Sequence, residues 1–186
     1  SPSNAAALAQ VRRAGVAAAS FRVDRLDDVP RLARVLGGLT GVENAAQTLA
    51  AACERALDSA RAAAPPPPAG RRVAVVVWDN PPIVIGAGSF LSELLELAGA
   101  ANAFGDIAAP SAQTSVEAIA ARDPDAILVL SDQDVPAFAR RREWQQVAAV
   151  REHRWVRVHG SEFHRPSPRA LTAVAALRDA LARTVP

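Results

Sequence analysis

The sequence predicts an α/β fold: a parallel-sheet, Rossmann-like lobe preceded by a long interlobe helix and a remnant of a second α/β lobe. Three short apolar runs, Val73–Trp78, Ala126–Leu130 and Trp155–Val158, are typical of strands buried on both faces. Helical patterns separate these runs, which favours parallel strands joined by right-handed crossovers. Before them, Val42–Ala64 contains no Gly or Pro and indicates one long helix.

The long helix has apolar residues at steps of three and four, which places them on one face. They are Val42, Ala46, Leu49, Cys53, Leu57, Ala60 and Ala64. At 1.5 Å per residue the helix is roughly 34 Å long, and Pro65–Pro68 ends it. A helix of this kind suits a brace between two lobes, and the alternative is a long helix within a single domain.

We therefore divide the chain into four parts. Residues 1–41 are the end of an N-terminal lobe, residues 42–64 the interlobe helix, residues 65–71 a proline-rich linker and residues 72–186 a C-terminal α/β lobe. Ser1–Asn4 leads straight into a helix, which predicts that the chain starts inside a fold.

The first part contains three predicted elements. Asn4 caps a helix that runs to Ala14 and is ended by Gly15. Val16–Val23 is a predicted strand. A further helix starts at Asp27 or Asp28 and ends at Gly37-Gly38.

The C-terminal lobe begins with its first strand and a loop over Asp79–Gly88. A helix follows from Ser89, its cap, to Leu97, and Gly99 ends it. Thr114–Ala121 is a helix that opens with a capping box from Thr114 to Glu117.

The second half of that lobe contains a helix that starts at Asp134 and Pro136, is interrupted around Arg140-Arg141-Arg142 and continues over Trp144–Val150. A loop, His159–Pro166, follows the third strand. Ser167 is predicted to cap the last helix, with Pro168 at its first position and its end near Arg183.

Composition excludes some classes of function. Half of the 186 residues are hydrophobic, which is enough for a sizeable core, and the net charge is only +2. The basic residues, all arginine, are scattered and predict no nucleic-acid surface. Cys53, the sole cysteine, is interpreted as a small buried hydrophobe without an internal disulfide. No apolar run has transmembrane length.

Two loops follow strands and carry polar residues, Asp79–Gly88 and His159–Pro166. Ligands of such sheets bind at the carboxyl ends of the strands. Gly86-Ala87-Gly88 is interpreted as a tight turn into the helix, since the rest of a phosphate-binding motif is missing. Trp78 either lines a cleft or covers the core, whereas Trp144 and Trp155 are predicted core residues.

The second loop contains His159, Glu162, His164 and Arg165. A metal site or acid–base catalysis by these side chains stays an alternative. We favour ligand contact without chemistry, in which the Phe163 ring stacks on the ligand while His164 and Arg165 donate hydrogen bonds. No catalytic residue, metal site or cofactor is predicted.

Four segments together resemble the periplasmic binding proteins that serve ABC importers of cobalamin, haem and ferric siderophores. The resemblance covers essentially the whole chain. Its motifs are Asn80-Pro81-Pro82 with Gly86-x-Gly88-Ser89-Phe90-Leu91-x-Glu93-Leu94-Leu95, then Ala101-Asn102-Ala103-Phe104, Gln113–Glu117 with Asp123–Ile127, and Phe163–Arg169.

The resemblance is greatest to the cobalamin binders, through the Asn-Pro-Pro loop and the Phe-x-Arg-x-Ser-Pro-Arg turn. It implies ligand contacts by Trp78, Asn80, Ile83, Ser161, Glu162, Phe163, His164 and Arg165. Ser161, His164 and Ile83 depart from the residues of cobalamin binders, and Ser111 stands near a tryptophan that is absent here. Glu117, besides its local capping role, matches a glutamate that docks on the permease.

The resemblance also implies the function. We expect an extracytoplasmic or periplasmic solute-binding subunit, not an enzyme, that captures a corrinoid, haem or ferric siderophore between two lobes. Its partners are then this small-molecule chelate and an ABC permease, and it meets the membrane only through the permease or a lipid anchor. The alternatives are a chelatase-like enzyme using His159, Glu162 and His164, and a sensor module.

Overall fold

The computed structural model describes residues 2–65, 71–131 and 133–184 and confirms the α/β class. In chain order its elements are α1 (Pro2–Arg13), α2 (Asp28–Thr40), α3 (Glu43–Ala62), β1 (Arg72–Asp79), β2 (Pro82–Ile85), α4 (Phe90–Leu97), β3 (Ala101–Asn102), β4 (Ser111–Gln113), α5 (Val116–Arg122), β5 (Ala126–Leu130), α6 (Ala148–Arg151), β6 (Trp155–Val158) and α7 (Ala173–Thr184). Short 3₁₀ helices lie at Ala137–Arg140, Arg142–Gln146, Ser161–Phe163 and Ala170–Thr172.

The described strands form one six-stranded sheet in the order β4-β2-β1-β5-β6, with β3 beside the start of β1. The three predicted strands are present, and β1, β5 and β6 are parallel as predicted. Their carboxyl ends therefore lie at one edge of the sheet, which we call the carboxyl edge. This edge carries the two loops that the sequence singles out.

The region 79–88 is not a continuous loop, so that prediction is wrong. After a turn at Asn80-Pro81, β2 runs back antiparallel to β1, with Trp78 opposite Ile83 and Asp79 opposite Pro82. Its residues Ile83, Val84 and Ile85 are β-branched and pair readily on a pleated sheet. The short strand β4 then pairs antiparallel with β2, so the sheet is mixed rather than wholly parallel.

Two apolar layers cover the sheet. Along β1, Val73 and Val75 point into a cluster with α4 and α7, whereas Ala74 and Val76 point into a cluster with α5 and the segment 138–150. Burial on both faces explains why β1 is a continuous apolar run rather than an alternating one. Trp144 is fully buried in the second layer, as predicted, and stacks on Phe138.

The N-terminal elements differ from the prediction in three places. The helix α1 starts at Pro2, so Asn4 lies inside the helix and not at its cap position. Val16–Val23 does not form a strand, and no described strand pairs with its backbone. The helix α2 continues past Gly37-Gly38 to Thr40 and ends at Gly41, whose backbone is left-handed. Most of the predicted proline linker, residues 66–70, lies outside the described residues.

Three helix starts in the C-terminal part are also corrected. Ser115, not Thr114, caps α5, because its Oγ accepts the Ala118 amide at 3.1 Å. The helix predicted at Asp134 is replaced by the 3₁₀ helices after Pro136. Ser167 does not cap the last helix: it closes a local turn on the Arg169 amide, and α7 starts at Ala173.

The long helix α3 packs antiparallel against α2, and its buried stripe differs slightly from the predicted one. Ala46, Ala50 and Leu57 are buried, whereas Val42 and Leu49 are exposed. Cys53 is half-buried, and this burial raises the pKa of its thiol. The thiol is therefore mostly uncharged, which agrees with the interpretation of Cys53 as a small hydrophobic residue. Across the helix pair, Arg34 donates to both oxygens of Glu54 at 2.7 Å.

The carboxylate of Glu93 on α4 joins three segments of the chain. It is 7% exposed and accepts the Leu26 amide at 2.7 Å and the Arg25 Nε and Nη2 groups at 2.9 and 2.8 Å. Arg61 of α3 lies 3.9 Å from the same carboxylate and makes a two-bond ion pair with Asp27. The segment 25–27, α3 and α4 therefore meet at one buried charge.

The α2–α3 contact yields a test with a built-in control. A methyl group on the buried Gly37 would overlap the Ala46 side chain, whereas one on the exposed Gly38 meets open space. We expect Gly37→Ala to lower the free energy of unfolding by about 1–3 kcal/mol through overpacking. Gly38→Ala should raise it by about 0.5–1 kcal/mol, because Ala is the better helix former.

Urea denaturation of the two variants measures both changes. Equal effects of the two substitutions would contradict the close helix contact at Gly37.

Candidate functional site

The site predicted from the sequence is divided between two places along the carboxyl edge. Trp78 and Asn80 lie at the end of β1, and Ser161–Arg165 follows β6. Since β5 lies between these strands, the two groups are separated by roughly 10 Å, twice the spacing of neighbouring strands. The structure thus brings the predicted residues to one edge, but not into one pocket.

Trp78 stands at the surface of this edge. Its side chain is 60% exposed, and its indole N–H donates to the Asn80 carbonyl at 2.8 Å. That bond fixes the ring and leaves an apolar face open to solvent. Trp78 therefore does not cover the core. The structure favours the other interpretation, in which Trp78 lines a cleft. Ile83, paired with Trp78 on β2, is half-buried beside it.

A pocket of about 190 Å³ opens between the ends of β1 and β5. Its walls include Trp78, Asp79 and Ser131, and residues 136–138 close the other side. Arg141 pairs with the Asp79 carboxylate at 3.2 Å and holds the 3₁₀ segment over the strand ends. The pocket is apolar at its base and polar at its mouth. Such a surface suits one edge of a large, extended ligand better than it suits a small ion.

The turn after β6 does not present all of its predicted contacts. Ser161, His164 and Arg165 are exposed, and Glu162 is half-buried with its carboxylate folded over Gly160. Phe163, however, is 2% exposed and packs in the core with α7. The prediction that the Phe163 ring stacks on a ligand is therefore wrong, because its face is already covered by protein.

His164 has a defined role in this turn. Its Nδ1 lies 2.9 Å from the Gly160 carbonyl. A carbonyl only accepts hydrogen bonds, so Nδ1 carries the proton, and in the neutral ring Nε2 is left as an acceptor toward solvent. The ring could thus accept from a ligand donor rather than donate to it.

Glu117 lies in the first turn of α5 and does not line the pocket beside Trp78. Hydrogen bonds from its own backbone amide, the Ser115 hydroxyl and the Gln146 amide hold the pKa of the Glu117 carboxyl below its ordinary value. The Gln146 bond is 3.3 Å long and the side chain is exposed. The carboxylate is therefore ionised at neutral pH and still accessible to a cationic partner.

Two features are absent from the described residues. Within residues 2–65, 71–131 and 133–184, no three His, Cys, Asp or Glu side chains are grouped so that they could hold a metal ion. Over the same ranges, every helix is too short or too polar to cross a bilayer.

Sequence reasoning missed the loop after β5. Ser131 and Gln133 line the pocket beside Trp78, and Arg141 forms an ion pair with Asp79 of its wall. The rule that ligands meet the carboxyl ends of strands applies to this loop as well. The predicted helix at Asp134 concealed it, and nothing in the sequence pairs Arg141 with Asp79. Trp155, predicted as core, is only half-buried and donates to the Asp134 carbonyl at 3.3 Å.

Comparison with known proteins gives the same fold. Residues 6–161 match the family model described as periplasmic binding protein. The vitamin B12-binding protein of Vibrio cholerae serotype O1 is 30% identical over 97 residues, which are 52% of this chain and 35% of that protein. The chain thus matches about a third of the length of its curated relatives.

Solved structures match over nearly the whole chain. The periplasmic haem-binding protein BhuT, in complex with two haems, has a TM-score of 0.76 at 25% identity, over 96% of this chain and 71% of that one. The periplasmic vitamin B12 binding protein BtuF of Vibrio cholerae has a TM-score of 0.69 at 24% identity, over 95% and 69%. The haem-binding protein RhuT from Roseiflexus sp. RS-1 has 0.75 at 24%, over 95% and 71%.

Proposed function

Because this chain belongs to the periplasmic binding protein family, we propose that it is part of the solute-binding component of an ABC importer. In this proposal the protein captures a bulky metal chelate between two lobes and delivers it to a membrane permease. The observation that carries the proposal is the family match, which runs from α1 to Ser161 and so includes the carboxyl ends of β1, β5 and β6.

The exposed face of Trp78 supports a large, partly apolar ligand. The indole is held by its own N–H, is 60% exposed and lies beside the pocket between β1 and β5, so its face offers a surface on which a conjugated ring can pack. Asn80, Ile83, Ser161, Glu162, His164 and Arg165 then contact the ligand around this platform, as the resemblance implies. Phe163 does not contact the ligand; its ring packs in the core and anchors the turn there.

We infer a corrinoid as the first candidate for the ligand. The support is the vitamin B12-binding relative at 30% identity. Haem and ferric siderophores are the alternatives, since haem-binding proteins and an Fe³⁺-hydroxamate transport protein share the fold. The departures at Ser161, His164 and Ile83 from the cobalamin pattern keep these alternatives open.

The domain division belongs to the same proposal. We assign residues 1–41 to the first lobe, α3 to the rigid connection and residues 72–186 to the second lobe. The contacts of Glu93 and of the Arg61–Asp27 pair support a connection with little freedom to bend. Small closing motions around a bulky chelate fit such a frame.

Docking and location complete the proposal. Glu117, ionised and exposed, serves as an anionic contact for arginines of the permease. The protein works outside the cytoplasm, at the periplasmic or outer face of the membrane, and meets the bilayer through the permease or a lipid anchor.

Calorimetric titration of the full-length protein tests the ligand class. We expect saturable one-to-one binding of cyanocobalamin, haemin or a ferric hydroxamate. Trp78→Leu should weaken that binding by roughly 5–30-fold, which corresponds to about 1–2 kcal/mol for a lost aromatic contact. Leu39→Ala is the control, because Leu39 is an apolar side chain on α2 that is 66% exposed, and it should leave the affinity unchanged.

Failure of all three chelates to bind would contradict the proposed ligand class. Equal losses of affinity in the Trp78 and Leu39 variants would contradict the placement of the ligand on Trp78.

A charge reversal tests the docking contact. Glu117→Arg should reduce uptake by cells that depend on this protein about tenfold or more, because like charges then face each other across the interface. It should leave chelate affinity unchanged, since Glu117 does not line the pocket beside Trp78. Asp58→Arg, a reversal of an exposed carboxylate on α3, is the control.

Uptake and calorimetric affinity measured on the same variants separate the two steps. A parallel loss of both for Glu117→Arg would show that the residue supports the fold or the ligand site instead.

A further inference from the structure

A second pocket lies beside the turn after β6. It has a volume of about 370 Å³ and is lined by Ser161, Arg165, Pro166, Ser167, Pro168 and Arg169. Two guanidinium groups and two hydroxyl groups thus surround one cavity, and no carboxylate belongs to its wall. Glu162, the acidic residue nearest in sequence, has its carboxylate folded over Gly160.

The two arginines differ from those that form ion pairs in this protein. Arg25, Arg122 and Arg157 each face a carboxylate at 2.8 Å or less. Arg165 and Arg169 are exposed, and within residues 2–65, 71–131 and 133–184 neither guanidinium has a hydrogen-bond acceptor or an ion-pair partner. Two neighbouring cations without an anion between them create a local positive potential.

The Ser167 hydroxyl beside the two arginines can donate a hydrogen bond to a ligand. The Ser167 Oγ accepts the Arg169 amide at 3.3 Å, so its own hydroxyl hydrogen remains available to a ligand. Pro166 and Pro168 restrict the backbone on both sides of Ser167, which limits the entropy lost when a ligand binds. Phe163 in the core fixes the start of the same turn.

From these observations we propose that the pocket binds a carboxylate or phosphate group of the transported chelate, with Arg165 and Arg169 as its two cationic contacts. Guanidinium groups bind such anions through paired, charge-assisted hydrogen bonds. The inference rests on the proposed function and narrows it: the ligand carries at least one anionic group at its periphery, and Arg169 belongs to its site. Neutral chelates without such a group are poor ligands.

Citrate, a small tricarboxylate, tests the pocket without any chelate. In the full-length protein labelled with ¹⁵N, citrate should shift the side-chain Nε–H resonances of Arg165 and Arg169 in a saturable way. Arg165→Gln and Arg169→Gln should each weaken this binding about tenfold or more, as expected for a lost charge-assisted contact. Arg55→Gln, an exposed arginine in the middle of α3, is the matched control and should have no effect.

The result is decisive in either direction. Citrate shifts at Arg165 and Arg169 that are no larger than those at Arg55 would overturn the proposal, as would equal affinity in all three variants.

A chelate pair then tests whether the pocket serves the transported ligand. Haemin carries two carboxylates, and its dimethyl ester has the same ring without them. We expect the pocket variants to weaken haemin binding about tenfold and to leave ester binding unchanged. Cyanocobalamin, whose anionic group is a phosphodiester, distinguishes a phosphate from a carboxylate as the bound group.

The citrate and chelate experiments together distinguish the anion pocket from chelate capture. Absence of binding by every chelate, together with arginine-dependent citrate binding, would refute chelate capture and support the anion pocket. Chelate binding that both arginine variants leave unchanged would refute the pocket and support capture.

Discussion

The buried carboxylate of Glu93 is the constraint on which the rest of the structure depends. It receives hydrogen bonds from the Leu26 amide and from Arg25, with Arg61 at 3.9 Å. The hydrogen bond to Glu93 raises the pKa of the Arg25 guanidinium, which also donates to the Ala87 carbonyl. A buried charge with this many donors tolerates few alternative arrangements. The first segment, the long helix and the sheet are therefore fixed relative to one another.

This fixed frame determines where the binding surface lies. The helix α4 packs on β1 and β5, so the position of Glu93 sets the position of the carboxyl edge. Along that edge the structure places an aromatic platform at Trp78 and a cationic pocket about two strands away, at Arg165 and Arg169. The two features suit different parts of one ligand, an apolar face and an anionic edge. In our proposal, recognition depends on their separation, which the frame keeps constant.

The sequence predicted the elements whose burial is complete and missed those that depend on pairing or on single contacts. The strands β5 and β6 and the helix α4 follow from continuous apolar patterns, and their bounds are as predicted. The strand β2 was concealed by the prolines before it, because its pairing with β1 is set by the turn rather than by its own pattern. The residues Phe163 and Arg169 show the same limit. Phe163 is buried in the core, whereas Arg169 lines a pocket. A sequence motif does not show which of its side chains will be exposed.

Several residues of the family motifs turn out to serve the fold. Asn102 donates to the Ile85 carbonyl and the Ser92 hydroxyl and accepts the Phe104 amide. The Asp125 carboxylate accepts the Arg72 amide at the start of β1. Glu93 belongs with these, and its effect can be measured directly. A glutamine in its place keeps the shape but offers one oxygen, and its NH₂ group would face the donors of Leu26 or Arg25.

The most direct test is therefore the free energy of unfolding of Glu93→Gln beside Glu96→Gln, an exposed glutamate on the same helix. Our account predicts a loss of about 2–4 kcal/mol for Glu93→Gln and a change within about 0.5 kcal/mol for Glu96→Gln. Similar, small changes in both variants would contradict the claim that this one carboxylate holds the frame together.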